Sequence, residues 1–378
     1  MAPALRVAPG EVIGLQPDGR EIALGTLHRQ EPAYPCINYS WMTNSAYLSR
    51  VAGRDYWSDR EAVFAEFVRR CGVNLVPQWY LPGEAQRRLE AGEMMHQADE
   101  HQLAGFHTPE DVVRWIEQLP DDESVERDFD IAAAAAKYAA DINKHMELLG
   151  PDCLVIAAFG QADFMGGYTR WGYENYLIAA ALYPQLMRRY YHHSALRGRL
   201  QNQAIVVARD KYGIAPFAYT GQDICTSQGP IMSPQMLREL YFPELKWCLE
   251  PLVENGIGAI WHCDGDIRPI VEDIMALGVI GLQGFEEEHG PRWEDMVQLT
   301  DRNGELISVW GCVSVVTTLP HGTPADVRAA VERSFTAAGR GRGHVISSTS
   351  SVMPEVPFAN IDAFFEHSRS FGREFLGA

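Results

Sequence analysis

The sequence predicts an α/β protein with the (β/α)8 TIM-barrel fold in a single domain. Short apolar runs rich in Val, Ile and aromatic residues alternate with longer helical patterns, which is typical of strand–helix units around a parallel sheet. Eight such runs occur along the 378 residues, and one large barrel domain has about this length. With 46% hydrophobic and 22% charged residues, the composition is that of a globular protein.

The eight predicted strands are bounded by turn residues or by helical patterns. They are residues 34–38, 73–79, 153–159, 216–220, 258–262, 279–284, 306–312 and 344–348. The helical patterns cover residues 59–71, 131–149, 174–196, 234–254, 267–277, 323–338 and 361–371. Ser233 before Pro234 predicts a helix start, and Gly256 and Gly278 predict two helix ends.

The predicted domain organisation has three parts. Residues 1–30 form an amino-terminal arm or hairpin, and residues 31–378 form the barrel. Residues 92–130 are acidic, contain two short helical patterns and are interpreted as an insertion that covers one barrel end.

Charge and cysteine usage restrict the classes of partner and compartment. A net charge of −18 and a pI near 5.1 oppose binding to nucleic acid, since like charges repel. The sequence contains neither a secretory leader pattern nor an apolar run of 18 residues, so we expect a cytoplasmic protein that does not enter a membrane. The seven cysteines include no Cys-x-x-Cys pair, which argues against both a disulfide framework and a zinc knuckle.

Polar side chains follow nearly every predicted strand. In a parallel barrel these positions meet at one opening, where the active sites of such barrels lie. Trp171 and Trp310 are candidates for the wall of an apolar pocket there. The candidate substrate-binding residues are Asn38, Tyr39, Gln78, Gln161, Asp163, Trp171, Trp310 and Ser350, and the candidate catalytic residues are His262, Asp264 and Asp223.

The stretch GAIWHCDGDIRP, residues 258–269, contains the central candidates. His262 lies at the end of a strand, and Asp264 can reach the same point while Cys263 faces the other side. Imidazole carries protons or binds metals near neutral pH, and a carboxylate can orient it or bind the same ion. The alternative is that Asp264 caps the next helix and His262 is a core residue. Similarly, Glu286, Glu287 and Glu288 could form a solvated loop, and Cys312 could be a small buried side chain.

Several motifs in the second half of the chain resemble the uroporphyrinogen decarboxylase superfamily. They are Gly229-Pro230 with Met232-Ser233-Pro234, the His262 motif, Leu319-Pro320 with Gly322-Thr323-Pro324, and residues 354–360. The resemblance implies a (β/α)8 barrel and one of two activities. These are porphyrinogen decarboxylation without a cofactor and methyl transfer between a corrinoid protein and a thiol or methylated substrate.

The chain departs from both patterns within the superfamily. The arginine-rich stretch of the decarboxylases has no match in register, so porphyrin decarboxylation is not expected. The thiol methyltransferases bind zinc through His-x-Cys-Gly and a later Cys, where this chain has His262, Asp264 and Ser350. Loss of two thiolates weakens a zinc site. The expected ligands of zinc or another divalent ion are therefore His262, Asp264, Glu287 and Cys312, and the alternative is a metal-free acid–base pair.

Three functions follow from these features. The first is transfer of a methyl group from a small aromatic or O-methylated substrate to a corrinoid protein. The second is decarboxylation of a small carboxylic acid held by Arg50, Arg54 or Arg170, and the third is a sensor that binds a corrinoid or porphyrin without turnover. The expected partners are the substrate, a corrinoid protein and a second copy of the chain in a homodimer.

Overall fold

The computed structural model describes residues 19–30, 34–90, 105–288, 290–340 and 343–377. Eight parallel strands lie where the apolar runs predict them, although most are shorter than the runs. They are β1 (Cys36–Ile37), β2 (Leu75–Val76), β3 (Leu154–Val155), β4 (Phe217–Gly221), β5 (Gly258–Cys263), β6 (Gly281–Gly284), β7 (Ser308–Val313) and β8 (Val345–Ser348).

Six of these strands form one curled parallel sheet in the order β1-β8-β7-β6-β5-β4. The other two, β2 and β3, pair with each other. Single parallel bridges join Asn38 to Leu75 and Ala157 to Ala218, so the β2–β3 pair touches both edges of the larger sheet. The predicted α/β class is confirmed, and the predicted barrel is seen in part as this six-stranded sheet.

Helices cover the outer face of the strands, as the alternating sequence pattern predicts. They are α1 (Gly19–Leu27), α2 (Ser45–Ala52), α3 (Arg60–Cys71), α4 (Glu84–Glu90), α5 (Pro109–Glu117), α6 (Asp122–Asp128), α7 (Ile131–Leu149), α8 (Met165–Trp171), α9 (Tyr173–Leu182), α10 (Pro184–Tyr212), α11 (Phe242–Glu254), α12 (Val271–Ala276), α13 (Trp293–Met296), α14 (Thr318–His321), α15 (Pro324–Ala338) and α16 (Phe358–Leu376).

Three predicted helices are interrupted, each next to a proline. The pattern over residues 267–277 is divided into a 3₁₀ turn at Arg268–Ile270, which contains Pro269, and α12. The pattern over residues 174–196 is split into α9 and α10, because Tyr183 before Pro184 leaves the helical region with φ −128° and ψ 52°. The pattern over residues 234–254 begins with Pro234–Met236 and a π-helical turn at Leu237–Tyr241 before α11. Pro243 follows that turn and has no N–H with which to continue it.

The predicted arm and insertion are both described in part. Residues 19–27 form α1 and not a strand of a hairpin. Arg20 attaches this helix to the segment between α7 and β3 by donating to the carbonyl oxygens of Gly150 and Cys153. Residues 1–18 lie outside the described part of the chain. The two short helical patterns of the insertion are confirmed as α5 and α6, whereas residues 91–104 are not described.

The core consists of a large hydrophobic cluster that runs from Ala23 in α1 to Phe365 in α16, and a small second cluster of Val125, Leu196 and Leu200. All seven cysteines are buried and free, as the absence of paired cysteine motifs predicts. Within the described ranges, every helix is too short or too polar to cross a bilayer.

Candidate active site

His262 lies near the carboxyl end of β5, which is the neighbour of the edge strand β4 in the larger sheet. The strand registers place it beside Gly221 of β4 and Gln283 of β6. A side chain at position 221 would put its Cβ 1.9 Å from the carbonyl oxygen of His262, so glycine is required for the two strands to approach here. Cys263 turns to the opposite side, as predicted, and lies beside Cys225.

The imidazole of His262 meets two carboxylates. Its Nε2 is 3.3 Å from Oδ1 of Asp223 and 3.6 Å from Oδ1 of Asp264. The backbone N–H of Asp264 donates to Asp223 at 3.0 Å, which fixes one carboxylate relative to the other. The structure therefore brings together the three residues predicted to be catalytic.

Asp264 does not cap the helical segment that follows it. The cap position before the turn Arg268–Ile270 is Ile267, and the nearest carboxylate to that turn is Asp266, whose Oδ1 accepts from the backbone N–H of Arg268 at 3.0 Å. The alternative interpretation of the motif is thus wrong for Asp264. Its Oδ1 is buried and has no hydrogen-bond partner, which is costly unless a ligand or ion satisfies the oxygen.

Gln283 contacts the ring nitrogen of His262 that faces away from Asp223 and Asp264. It was not among the predicted site residues. Its Oε1 accepts from the Tyr219 hydroxyl at 2.8 Å and contacts Nδ1 of His262. Its Nε2 donates to the carbonyl oxygens of Ser348 and Thr349, at 3.2 and 2.8 Å. A single amide in the otherwise apolar stretch VIGLQGF was the signal for it.

The two carboxylates change the protonation of the ring. Burial alone lowers the pKa of His262, but the charge of Asp264 and the hydrogen bond with Asp223 raise that pKa to about 9. Burial raises the pKa of Asp264 to about 6 against the attraction of His262. Although burial acts to raise the pKa of Asp223 as well, its hydrogen bond with His262 holds it below the usual value. At pH 7 to 8 the cluster therefore contains an imidazolium and two carboxylates.

Aromatic rings cover the imidazole. The centroid of the Trp41 ring is 6.2 Å from that of His262 and 5.2 Å from that of Tyr219. Trp41 and the preceding Ser40 have positive φ values of 40° and 59°. This is strained for residues with side chains, and such strain is concentrated at functional sites. Trp41 is therefore a site residue that the list of candidates did not include.

Some predicted binding residues touch this cluster directly. Nε2 of Gln161 donates to the carbonyl oxygen of Gly221 at 2.7 Å, and its Oε1 is buried without a hydrogen-bond partner. Ser350 is close enough to Asp264 to lower its pKa by a hydrogen bond. Trp310 is fully buried and stacks on Tyr219 at 5.3 Å, so it supports Tyr219 and does not line an opening.

Three further candidates lie behind Trp41. The Tyr39 hydroxyl donates to the carbonyl oxygen of Gln78 at 2.9 Å, and the Gln78 side chain accepts from Nε1 of Trp41 at 3.4 Å. Oδ1 of Asn38 accepts from the backbone N–H of Ser40 at 3.1 Å. These residues hold the strained turn that carries Trp41, and they do not contact His262.

Two predicted binding residues belong to a neighbouring aromatic cluster. Asp163 accepts from the Tyr190 hydroxyl at 3.0 Å and from the backbone N–H of Gly166 at 2.7 Å. Trp171 is packed against Tyr190 and Trp115. The contacts of both residues therefore fix α8 and α10 relative to each other.

The predicted metal ligands Glu287 and Cys312 do not join His262. Glu287 accepts from both terminal nitrogens of Arg333 in α15, at 2.8 and 2.9 Å. Cys312 faces Ser334 of the same helix, and burial raises the pKa of its thiol strongly. The loop after β6 and the side chain from β7 thus turn outward to α15. This corrects the expected ligand set.

Asp223, His262 and Asp264 form the group that could hold an ion. One atom of each lies within 4.8 Å of the others. No other set of three His, Cys, Asp or Glu side chains in the described ranges does so. The donors are one nitrogen and two oxygens, which suit zinc or a harder divalent ion, and the contact of Nδ1 with Gln283 is typical of a metal-binding histidine.

The fold and the cluster define a class: an α/β protein with a histidine and two carboxylates at the carboxyl ends of its parallel strands. Residues 218–371 match the family model described as "Uroporphyrinogen decarboxylase (URO-D)". The resemblance of this part of the chain to the uroporphyrinogen decarboxylase superfamily, expected from its motifs, is confirmed.

Similarity to a solved structure extends over nearly the whole chain. A methyltransferase from Methanosarcina mazei has a similar fold, with a TM-score of 0.62 and 14% sequence identity. The alignment covers 94% of this chain and 99% of that protein. Among curated proteins no match was found.

Proposed function

We propose that this protein is an enzyme that removes a methyl group from the oxygen of a small, uncharged aromatic ether and passes it to a corrinoid protein. The family match and the fold similarity support an enzyme of the decarboxylase or methyltransferase type. One observation carries the proposal further: Nε2 of His262 faces the carboxylates of Asp223 and Asp264 at the carboxyl ends of the strands.

His262 is the acid in this reaction. As the bond between methyl carbon and oxygen breaks, its electron pair stays on the oxygen, and Nε2 of His262 donates a proton there. Asp223 and Asp264 stabilise the imidazolium until that moment. A positioned acid of this kind contributes about 10²- to 10⁴-fold in rate.

The methyl acceptor is expected at the same end of the strands. A corrinoid carried by a partner protein supplies the nucleophile that takes the methyl group. Tyr80, Val316 and Met353 are exposed large apolar side chains in the segments after β2, β7 and β8. These side chains are available for contact with a partner at this end of the strands.

A divalent ion also fits the cluster, because Oδ1 of Asp264 is buried without a hydrogen-bond partner and the donors converge. The residues that would hold it are His262, Asp223 and Asp264. When bound, such an ion supplies a Lewis acid for the ether oxygen. Because Nε2 cannot bind an ion and carry a proton together, the two forms of the site exclude each other. Elemental analysis of protein purified without chelator distinguishes them.

The charge of the site favours an uncharged substrate. One imidazolium and two carboxylates leave a net negative charge, and Glu286 lies close enough for its own negative charge to raise the pKa of Asp264. Arg50 is paired with Asp362, and Arg170 lies over the Trp115 ring at 4.8 Å. Two of the three arginines predicted to hold a carboxylate are thus engaged elsewhere.

Decarboxylation of a small carboxylic acid is the second candidate, since the matching family model is that of a decarboxylase. It needs His262 to protonate a carbanion, and it needs a cation for the carboxylate. Arg54 is exposed and is the remaining arginine of the predicted three. The scarcity of cations at the cluster makes methyl transfer the better-supported function.

The test combines the purified protein with a reduced corrinoid protein and a panel of methoxyarenes. We expect release of the phenol, measured by chromatography, together with a change in corrinoid absorbance. His262→Gln should lower the rate by at least about 100-fold, while His321→Gln, an exposed residue of α14, serves as the matched control. Carbon dioxide release from carboxylic acids without phenol formation would favour the second candidate and overturn the first.

The remaining predictions concern the whole protein. We propose that the two single bridges complete a closed (β/α)8 barrel in residues 31–378, with residues 92–130 inserted. Zinc as the ion, dimerisation and a cytoplasmic location stay predictions from the sequence.

A further inference from the structure

We propose that Gln283 is a positioning residue that keeps a proton on Nδ1 of His262 and thereby makes Nε2 the atom that reacts. The hydrogen-bond assignment is independent of the reaction. Its consequence for the rate rests on the proposed function.

The direction of the Gln283 amide is set by its surroundings. Its nitrogen faces the carbonyl oxygens of Ser348 and Thr349, and both of these can only accept. In the reversed orientation the amide oxygen would face two other oxygens in a buried site, since Gln283 is 1% exposed. Unpaired buried polar groups are costly, so the oxygen faces His262.

This orientation decides which nitrogen of His262 carries a fixed proton. An amide oxygen only accepts hydrogen bonds, and Oε1 of Gln283 already accepts from the Tyr219 hydroxyl at 2.8 Å. Nδ1 of His262 contacts the same oxygen and must therefore donate. A neutral ring with its proton only on Nε2 would place two lone pairs against each other.

The strand register makes the arrangement rigid. Gln283 lies in β6 opposite His262 of β5 and Trp310 of β7. Its amide nitrogen donates to the carbonyl oxygens of the last residue of β8 and of the residue that follows it. A side chain anchored on several strands loses little freedom when it orients a reacting group. The ring is consequently held with Nε2 towards Asp223 and Asp264.

The first test is NMR of protein labelled with ¹⁵N-histidine, which needs no substrate. We expect a downfield ring N–H signal assigned to Nδ1 of His262 by its loss in His262→Gln. It should persist from pH 6 to pH 10. In Gln283→Met, whose side chain has a similar length, exchange with water should remove it. A wild-type ring with a bare Nδ1 and a protonated Nε2 at pH 10 would overturn the assignment.

Two variants separate positioning from a purely structural role. Tyr219→Phe removes the other donor to the same oxygen and should retain the Nδ1 signal. Gln283→Asn is the second variant if the methionine protein does not fold, and its shorter amide should also release Nδ1. If Tyr219→Phe and Gln283→Asn change the signal equally, the positioning role is refuted.

The rate is measured separately in the methyl-transfer assay. Gln283→Met should lower kcat by about 10- to 100-fold, the usual effect of losing such a partner, and change KM little. If the wild type transfers no methyl group but shows the Nδ1 signal, the proposed function fails while the positioning role of Gln283 stands. An unchanged kcat in a folded Gln283→Met protein would refute the consequence for the rate.

Discussion

At the scale of single residues, the partners of His262 control different properties of one ring. Asp264 raises the pKa of His262 by its charge, and Asp223 by a hydrogen bond. Gln283 meets the opposite nitrogen. Because the ring is buried among these groups, we expect a substitution of any one of them to change the pKa of His262 or the position of its proton.

The pH dependence of the rate follows from the pKa of His262. Since the acid must be protonated, activity should fall as the pH rises above about 9. Asp264→Asn removes the largest contribution that raises this pKa, so the fall should move to lower pH by about 1 to 2 units. Rate profiles from pH 6 to pH 10 measure the pH at which activity falls in the wild type and in Asp264→Asn. A profile of Asp264→Asn identical to that of the wild type would contradict the assignment.

Asp264 should also reduce the stability of the folded protein. Its pKa is raised to about 6, so the folded state holds the proton more tightly than the unfolded state does, and ionisation destabilises the fold. At pH 8, Asp264→Asn should increase the free energy of unfolding by about 1 to 2 kcal/mol. The gain should shrink as the pH falls from 6 towards 4. Urea unfolding measures it, and a loss of stability at pH 8 would show that ionised Asp264 stabilises the fold.

At the scale of secondary-structure elements, the site depends on how closely β4 and β5 approach. Gly221 pairs with His262, and any side chain there would collide with the backbone of β5. The strands must therefore separate if a Cβ is added, which moves His262 away from Asp223.

Gly221→Ala tests this approach of the strands. Because its Cβ would lie 1.9 Å from the carbonyl oxygen of His262, we expect a loss of at least about 2 kcal/mol in the free energy of unfolding. Gly83→Ala is the control, since the nearest atom to its added Cβ is 3.8 Å away. It should change stability by less than about 0.5 kcal/mol. Equal effects of the two substitutions would argue against a close contact at Gly221.

At the scale of the whole molecule, a charged connection ties α6 to α10 and α11. His192 in α10 bonds Glu244 of α11 at 2.8 Å and Asp122 of α6 at 3.1 Å. Burial lowers the pKa of His192, but Glu244 and Asp122 raise it overall. A raised histidine pKa means that the connection is strongest at pH below the ordinary value of 6.5 and weakens as the pH rises through the raised pKa.

His192→Leu should loosen this attachment without unfolding the protein. We expect faster hydrogen exchange in residues 109–128, measured by mass spectrometry at pH 6, and a smaller effect of the substitution at pH 9. His367→Leu removes a comparable pair with Glu332 between α15 and α16 and should leave residues 109–128 unchanged. Equal protection of that segment in wild type and His192→Leu would show that packing alone holds it.

The sequence by itself determined the positions of the strands, because a buried parallel strand must be an apolar run whatever its neighbours are. It also predicted that His262 ends a strand, that Asp223 and Asp264 follow strands, and that these strand ends meet. The periodicity of 131–149 fixed α7 to the residue. The breaks next to Pro184 and Pro243 were not predicted, although both prolines are visible in the sequence and act locally.

Only the tertiary structure decided which side chains face the cluster. Glu287 lies after β6 and Cys312 lies near the end of β7, yet both turn to α15, whereas Gln283 and Trp41 point to His262. The physical reason is that direction depends on strand register and on the path of each loop, and these are fixed by contacts between residues far apart in the chain. The sequence therefore supplied the reactive groups, and the packing of the strands selected those that meet.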